Sequence, residues 1–173
     1  VVRAVAESLP FRDQCFEVAL ALWTIHHWTD LRRGLEELRR VAGRLVIVTA
    51  STVMNDLWLT SDYWPGMARQ RRADIQPQAV IDVLATDARI EPLPLPRDCA
   101  DGIGEAFWAR PEAYLDPQVR AGMSCFQRLG PAEVQHGLDR LATDLRSGAW
   151  DRRYGHLRDT DEFDCGHRLI ITT

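Results

Sequence analysis

The chain has 173 residues, 46% of them hydrophobic and 27% charged, with a formal net charge of −4. That length supports a domain with a real core, and the acidic balance gives no bulk attraction to nucleic acid or anionic lipid. All 21 basic residues are arginines, which excludes a lysine Schiff base or a Walker-type phosphate lysine.

In chain order, Val1–Val5 has the look of a strand end. Glu17–Leu22 is a short apolar run, the pattern of a parallel strand buried on both faces. Thr29 or Asp30 then caps a helix in which Leu31, Leu35, Leu38 and Ala42 recur at helical spacing. Gly43 is placed to end it as a left-handed cap, and Arg44–Thr49 is a second buried strand. This β-α-β unit sends both strand ends to one edge of a sheet. Open α/β sheets bind ligands at that edge, so the loops 23–29 and 50–55 are the favoured site. Trp58, Tyr63, Trp64 and Met67 follow in a mixed segment that reads as a helical, mobile cover. Pro77 opens a helix carrying Val80, Ile81, Val83 and Leu84. Ile90–Leu95 contains prolines and is expected on a sheet edge. Residues 98–128 form short helical pieces, and Pro131 opens an amphipathic helix with Val134, Leu138, Leu141 and Leu145 on one side. Arg168–Thr172 closes the sequence as a β-rich segment.

No stretch reads as a secretory leader or a membrane span. Cys15, Cys99, Cys125 and Cys165 form no C-x-x-C pair, which predicts reduced thiols in a cytoplasmic protein. His156, Cys165 and His167 lie near one another but lack paired ligand spacing, so no metal is expected.

The ordered set Ala6-Glu7-Ser8-Leu9-Pro10-Phe11, Asp13-Gln14-Cys15-Phe16-Glu17 and His26-His27-Trp28-Thr29-Asp30, followed by the helix and Gly43-Arg44-Leu45, resembles the class I S-adenosylmethionine-dependent methyltransferases of the ubiquinone/menaquinone-biosynthesis type. The match is specific over residues 4–50 and thin beyond. The resemblance implies an α/β, Rossmann-like sheet in the order 3-2-1-4-5-7-6, with the seventh strand antiparallel. Val1–Val5, Glu17–Leu22, Arg44–Thr49, Ile90–Leu95 and Arg168–Thr172 would be strands three to seven. The expected organisation is one partial methyltransferase domain over 1–173, with core motifs in 1–50 and a variable helical cover in 51–76 and 98–150. The Gly-rich cofactor turn of strands one and two is not among these residues, and Val5 stands where the family usually has an acid.

S-adenosyl-L-methionine is therefore the implied cofactor and a small molecule the implied methyl acceptor. By resemblance, the backbone of Ala6 faces the adenine, with Glu7 a substitute for the missing acid or else a solvated loop residue. Leu22 and Trp23 would offer backbone groups to the methionine end. His26 or His27 suits a base where the acceptor must lose a proton; the alternative is packing for one and helix capping for the other. Consecutive turn residues are expected to point apart, so that at most one meets the substrate. Trp58, Tyr63 and Trp64 either line an acceptor pocket or pack on one another.

A second class of function is a non-catalytic remnant or interaction module. With no strand beside it, the fourth strand would present an open apolar edge that invites self-association. The 173-residue chain alone is then expected to bind cofactor poorly. A Rossmann-type oxidoreductase fragment ranks last, because the Ala-Glu-x-Leu-Pro-Phe and His-His pattern is not a dehydrogenase feature.

Overall fold

The computed structural model describes residues 1–70, 75–85 and 87–172. The chain divides into two compact units. Unit 1 comprises Val1–Thr52, Arg72–Leu93 and Gly166–Thr173; unit 2 comprises Val53–Arg71 and Pro94–Cys165. The segments expected as a cover thus extend to Cys165 and have a core of their own.

Unit 1 is built on a four-stranded sheet. Its elements are β1 (Phe16–Leu22), α1 (Leu31–Val41), β2 (Ala42–Ala50), α2 (Pro77–Leu84), β3 (Ala88–Pro92) and β4 (His167–Thr172). The sheet order is β1-β2-β4-β3. β1 and β2 are parallel, in a register that sets Leu20 opposite Val46. β4 inserts antiparallel between β2 and β3, with Val48 opposite Leu169 and Ile90 opposite Ile170. This is the 4-5-7-6 half of the expected order, antiparallel strand included.

The linking helix forms where its apolar spacing predicts. Asp30 caps α1 by accepting from the Arg33 N–H at 3.0 Å. Leu31, Leu35, Leu38 and Val41 turn inward against Ala21, Leu45, Ile47, Val80, Leu84 and Ile170. Leu35 and Ile47 are fully enclosed, and each contributes about 1.5–3 kcal/mol by leaving water.

Four expectations need correction. Val1–Val5 is not a strand; it makes only an isolated bridge between Val5 and Ser8 and is exposed. A strand needs a neighbour to take its N–H and C=O groups, and no described strand lies beside it. β1 is not buried on both faces: Phe16, Leu20 and Leu22, which share one face, are exposed, while Ala21 on the other lies in the core with the leucines of α1. Gly43 is not a left-handed cap. Helix α1 passes directly into β2 through Ala42, which is already extended at φ −137° and ψ 145°. Finally, Ile90–Leu95 splits. Pro92 ends β3, while Leu95–Pro96 pairs with Glu162–Phe163 in a two-stranded ribbon of unit 2. Pro94 supplies no N–H with which to continue a ladder.

Unit 2 is helical around an aromatic centre. A π-helical turn at Leu59–Tyr63 is followed by α3 (Gly66–Arg69), α4 (Pro117–Ala121), α5 (Ser124–Gln127), α6 (Pro131–Arg146) and α7 (Ala149–Tyr154). Trp58 sits edge-on to Tyr63, Tyr114 and Trp150, at 5.7, 5.8 and 5.3 Å between ring centroids. Such contacts add about 0.5–1.5 kcal/mol each beyond burial. No helix among the described residues is long and apolar enough to cross a membrane.

The four cysteines are free thiols. Burial pushes the Cys125 thiol up to about 12 and Cys165 higher still, so neither is poised as a thiolate. Among the described residues no cluster of three or more His, Cys, Asp or Glu is arranged to hold a metal ion.

Candidate functional site

The parallel pair β1 and β2 delivers its carboxyl ends to one edge, and the loop after β1 carries the candidate residues Trp23, His26 and His27. Leu22 ends the strand with 49% of its surface exposed. Trp23 then turns the chain sharply at φ 46°, a left-handed conformation uncommon for a bulky residue. Its N–H still donates to Val48 O at 3.2 Å, so the turn stays tied to β2.

The indole of Trp23 is fixed from across the sheet. Its Nε1–H donates to His167 Nδ1 at 3.0 Å, and the two rings meet edge-on at 5.5 Å. A histidine that accepts at Nδ1 carries its proton at Nε2 in the neutral form. His167 is 2% exposed at the start of β4, in register with Ala50. The sequence pattern names His167 among weak metal candidates and gives no sign of a partnership with Trp23. Its role as the anchor of Trp23, 144 residues away, depends on β4 lying next to β2, which no local pattern encodes.

Beyond Trp23, Ile25–His27 forms a single 3₁₀ turn pinned by the buried Ile25. His26 is half-buried and His27 exposed. Their rings do not diverge as expected; the centroids are 3.9 Å apart and the planes tilted by 46°. The tight turn lets both imidazoles lie against one another, so they form one surface. Trp28 follows, seated over Gly34 of α1. A Cβ on Gly34 would fall within 2.8 Å of the Trp28 ring atom Cζ3, so this approach requires glycine.

Glu7 reaches the same loop from the N-terminal segment. Its Oε1 accepts from the N–H groups of Thr29, at 2.8 Å, and Asp30, at 3.1 Å. These bonds, Asp30 first, hold its carboxyl below the usual range. Glu7 therefore ties the loop that leads into α1, and this engaged oxygen is not open to a ligand. Ala6 beside it is half-buried.

Trp58, Tyr63 and Trp64 belong to unit 2, and their surroundings are those of a core. They are 2%, 2% and 0% exposed. Trp58 Nε1 donates to Trp108 O, Tyr63 OH to Asp144 Oδ2 and Trp64 Nε1 to Val134 O. With every polar handle engaged and every face packed, they form the self-packed cluster rather than an open pocket wall.

At this edge the loop after β1 thus presents an exposed leucine and an indole locked by a buried histidine.

A family profile described as a methyltransferase domain matches residues 1–47. The solved structure of a protein from Anabaena variabilis ATCC 29413, provisionally described as a methyltransferase from an antibiotic biosynthesis pathway, aligns with a TM-score of 0.87 and 31% identity. The alignment covers 99% of this chain and 72% of that one. A SAM-dependent methyltransferase from Thermotoga maritima is more distant, at TM-score 0.44 and 21% identity over 54% of this chain and 49% of that one. The uncharacterized protein YafE of Escherichia coli (strain K12) is 35% identical over 60 residues, which span 31% of this chain and 29% of that protein. With 31% identity sustained over nearly its whole length and a shared fold, this chain belongs to the class I S-adenosylmethionine-dependent methyltransferase family.

Proposed function

We propose that the chain carries one wall of the cofactor site of a methyltransferase that uses S-adenosyl-L-methionine and acts on a small-molecule acceptor. The observation that supports this best is the exposed carboxyl edge of β1, with Leu22 open and Trp23 held rigid by His167, in a chain that shares 31% identity with a methyltransferase-like fold. Ala6, Leu22 and Trp23 are the residues that would meet the cofactor. When bound, the cofactor supplies a methyl group on a sulfonium that is already activated for transfer. The protein's part is then orientation and exclusion of water. His26 or His27 takes a proton at an imidazole nitrogen where the acceptor must lose one. The net charge of −4 disfavours a nucleic-acid acceptor, and the Anabaena protein's link to antibiotic biosynthesis points toward small-molecule chemistry.

The test is calorimetry of S-adenosyl-L-methionine against the complete product of the gene that encodes this chain. A folded protein giving no binding heat would refute the proposal. Once an acceptor is found, replacing the catalytic histidine with alanine is expected to lower turnover by about 10²–10⁴. Replacing the other should leave it nearly unchanged.

The open edge of β1 favours a second reading, an interaction module that recruits another chain by strand pairing. A folded protein that fails to bind cofactor yet associates through β1 would support it.

A further inference from the structure

Residues 6–14 form no helix or strand, yet they are held at both ends of α1, at the residues that lead into it and along its C-terminal part. At the start, Glu7 accepts from Thr29 and Asp30. In the middle, Leu9 N–H donates to Glu37 Oε2 at 2.8 Å, and Leu9 O accepts from Arg40 NH2 at 2.9 Å. Further on, Phe11 O and Asp13 Oδ1 both accept from Arg40 NH1 at 2.8 Å. At the end, Gln14 N–H donates to Arg40 O, and its side-chain amide reaches the carbonyls of Arg39 and Arg40. The segment is a strap fastened just before the helix begins and again over its last turns.

Two side chains do most of the fastening. Arg40 donates through Nε to Glu37 Oε1 and through NH2 to Glu37 Oε2, both at 2.8 Å, while NH1 and NH2 also grip the strap's carbonyls. Glu37 is 4% exposed. Burying a carboxylate against a helix is a weak way to gain stability, because desolvation offsets the attraction. Here it supplies a fixed geometry. A planar fork of five donors can hold a carboxylate and two carbonyls at once; a lysine cannot. Leu9 and Phe11 are thereby pressed onto the core of unit 1, and the Phe11 ring meets Phe16 edge-on at 5.0 Å.

We infer that Glu37 and Arg40 are positioning residues for the cofactor: touching no ligand, they fix the strap that carries Ala6 and thereby set cofactor affinity. This rests on the proposed reading of Ala6 as part of the cofactor-site wall.

The experiment has two readouts on the complete gene product and its Glu37→Gln, Arg40→Ala and Arg40→Lys variants. The first needs no ligand: hydrogen exchange followed by mass spectrometry over residues 6–14 and over β2. Loss of the charge-assisted bonds is expected to speed strap exchange by about tenfold while β2 keeps its protection. Arg40→Lys, which keeps the charge but not the fork, should fall between wild type and Arg40→Ala. The second readout is the dissociation constant for S-adenosyl-L-methionine, expected to rise by about tenfold in Arg40→Ala at a temperature where the variant stays folded.

Unchanged strap exchange would overturn the clamp, and equal loosening of strap and β2 would reduce it to a general stability contact. A loosened strap with unaltered affinity would overturn the positioning role. If the wild-type protein binds no cofactor, the functional reading has failed and the positioning role falls with it, while the exchange data still decide whether the pair fastens the strap.

Discussion

Gly137 offers a clean contest between helix propensity and packing. It lies inside α6, where alanine is ordinarily better by about 1 kcal/mol. Against that, a Cβ at this position would stand 2.5 Å from Trp64 Cε2 and 2.7 Å from Trp64 Cδ1. Trp64 is fully buried and edge-on to Phe126 at 4.9 Å, so the rigid indole has no free direction of retreat. Overpacking of this kind costs about 1–3 kcal/mol. The shift also removes the Trp64 Nε1–H bond to Val134 O, which at 3.3 Å is long and is taken at the low end, about 0.5 kcal/mol. After subtracting the propensity gain, Gly137→Ala should destabilise by about 0.5–2.5 kcal/mol. For a chain of this size that lowers Tm by roughly 1–10 °C. Circular dichroism melting measures it, and near-ultraviolet spectra should report the displaced indole. Gly130 is the control: a Cβ there meets nothing within 4 Å, so Gly130→Ala should stay within about 0.5 kcal/mol of wild type. A rise in Tm for Gly137→Ala, with an unchanged aromatic spectrum, would show that propensity wins and that the packing argument is wrong.

The three tyrosines provide a spectroscopic check on unit 2. Burial raises Tyr63, Tyr114 and Tyr154 alike, with Asp144 and Asp62 adding to the effect at Tyr63 and Asp62 at Tyr154, which is pushed up to about 12. Tyrosinate absorbance should therefore show no step near the free value of about 10, and one there would refute the enclosed cluster. At the other extreme, the Arg40 guanidinium and the Leu9 N–H hold the Glu37 carboxyl down to about 2. Because the folded value is depressed, its contribution is complete above about 4.5 and is lost as pH falls toward about 2. Strap exchange should accelerate through that window, with Arg33, Arg40 and Asp13 the other charges in the network. Glu37→Gln should flatten the acid dependence; an unchanged profile would count against the clamp. Finally, β1 leaves Leu20 62% exposed on an outermost strand. The 173-residue chain is expected to self-associate, and Leu20→Lys to shift it toward monomer in sedimentation velocity. A wild-type monomer would refute this.

The parts of the fold that were legible are those with local physical causes. The 3.6-residue spacing of Leu31, Leu35 and Leu38, with Asp30 before it, marks α1 without help from tertiary structure. Pro77 and Pro131 each open a helix for the reason that a first-turn residue needs no N–H partner. The apolar runs became β1 and β2; β2 is buried as its pattern predicts, while β1 leaves Phe16, Leu20 and Leu22 exposed. An apolar run signals a strand; whether another strand lies outside it is a matter of neighbours. Val1–Val5 failed in the same way, since extended-looking residues make a strand only when something pairs with them. Gly43 shows a turn signal overridden: the helix needed no left-handed residue because its last carbonyls and the first β2 residues share one continuous path through Ala42.

The site was legible as a place more than as a set of contacts. Topology alone directs attention to the loop after β1, and Trp23, His26 and His27 do cluster there. What holds them is long-range: His167 fixes Trp23 across two strands, and Glu7 fixes the start of α1 across 22 residues. Glu7 is the instructive case. By resemblance an acid at this position looks like a ligand, but two backbone N–H groups at the entrance to a helix are strong partners for a carboxylate, and here they take up Glu7 Oε1. Trp58, Tyr63 and Trp64 teach the complementary lesson. Aromatic residues build pocket walls and cores from the same chemistry, and only the packing partner distinguishes them. Trp108, Tyr114 and Trp150, all far along the chain, enclose them. His167 holds Trp23 in the loop after β1, and Glu37 with Arg40 fastens residues 9–13 beside α1, so perturbing these three is a sharp test of whether that geometry matters.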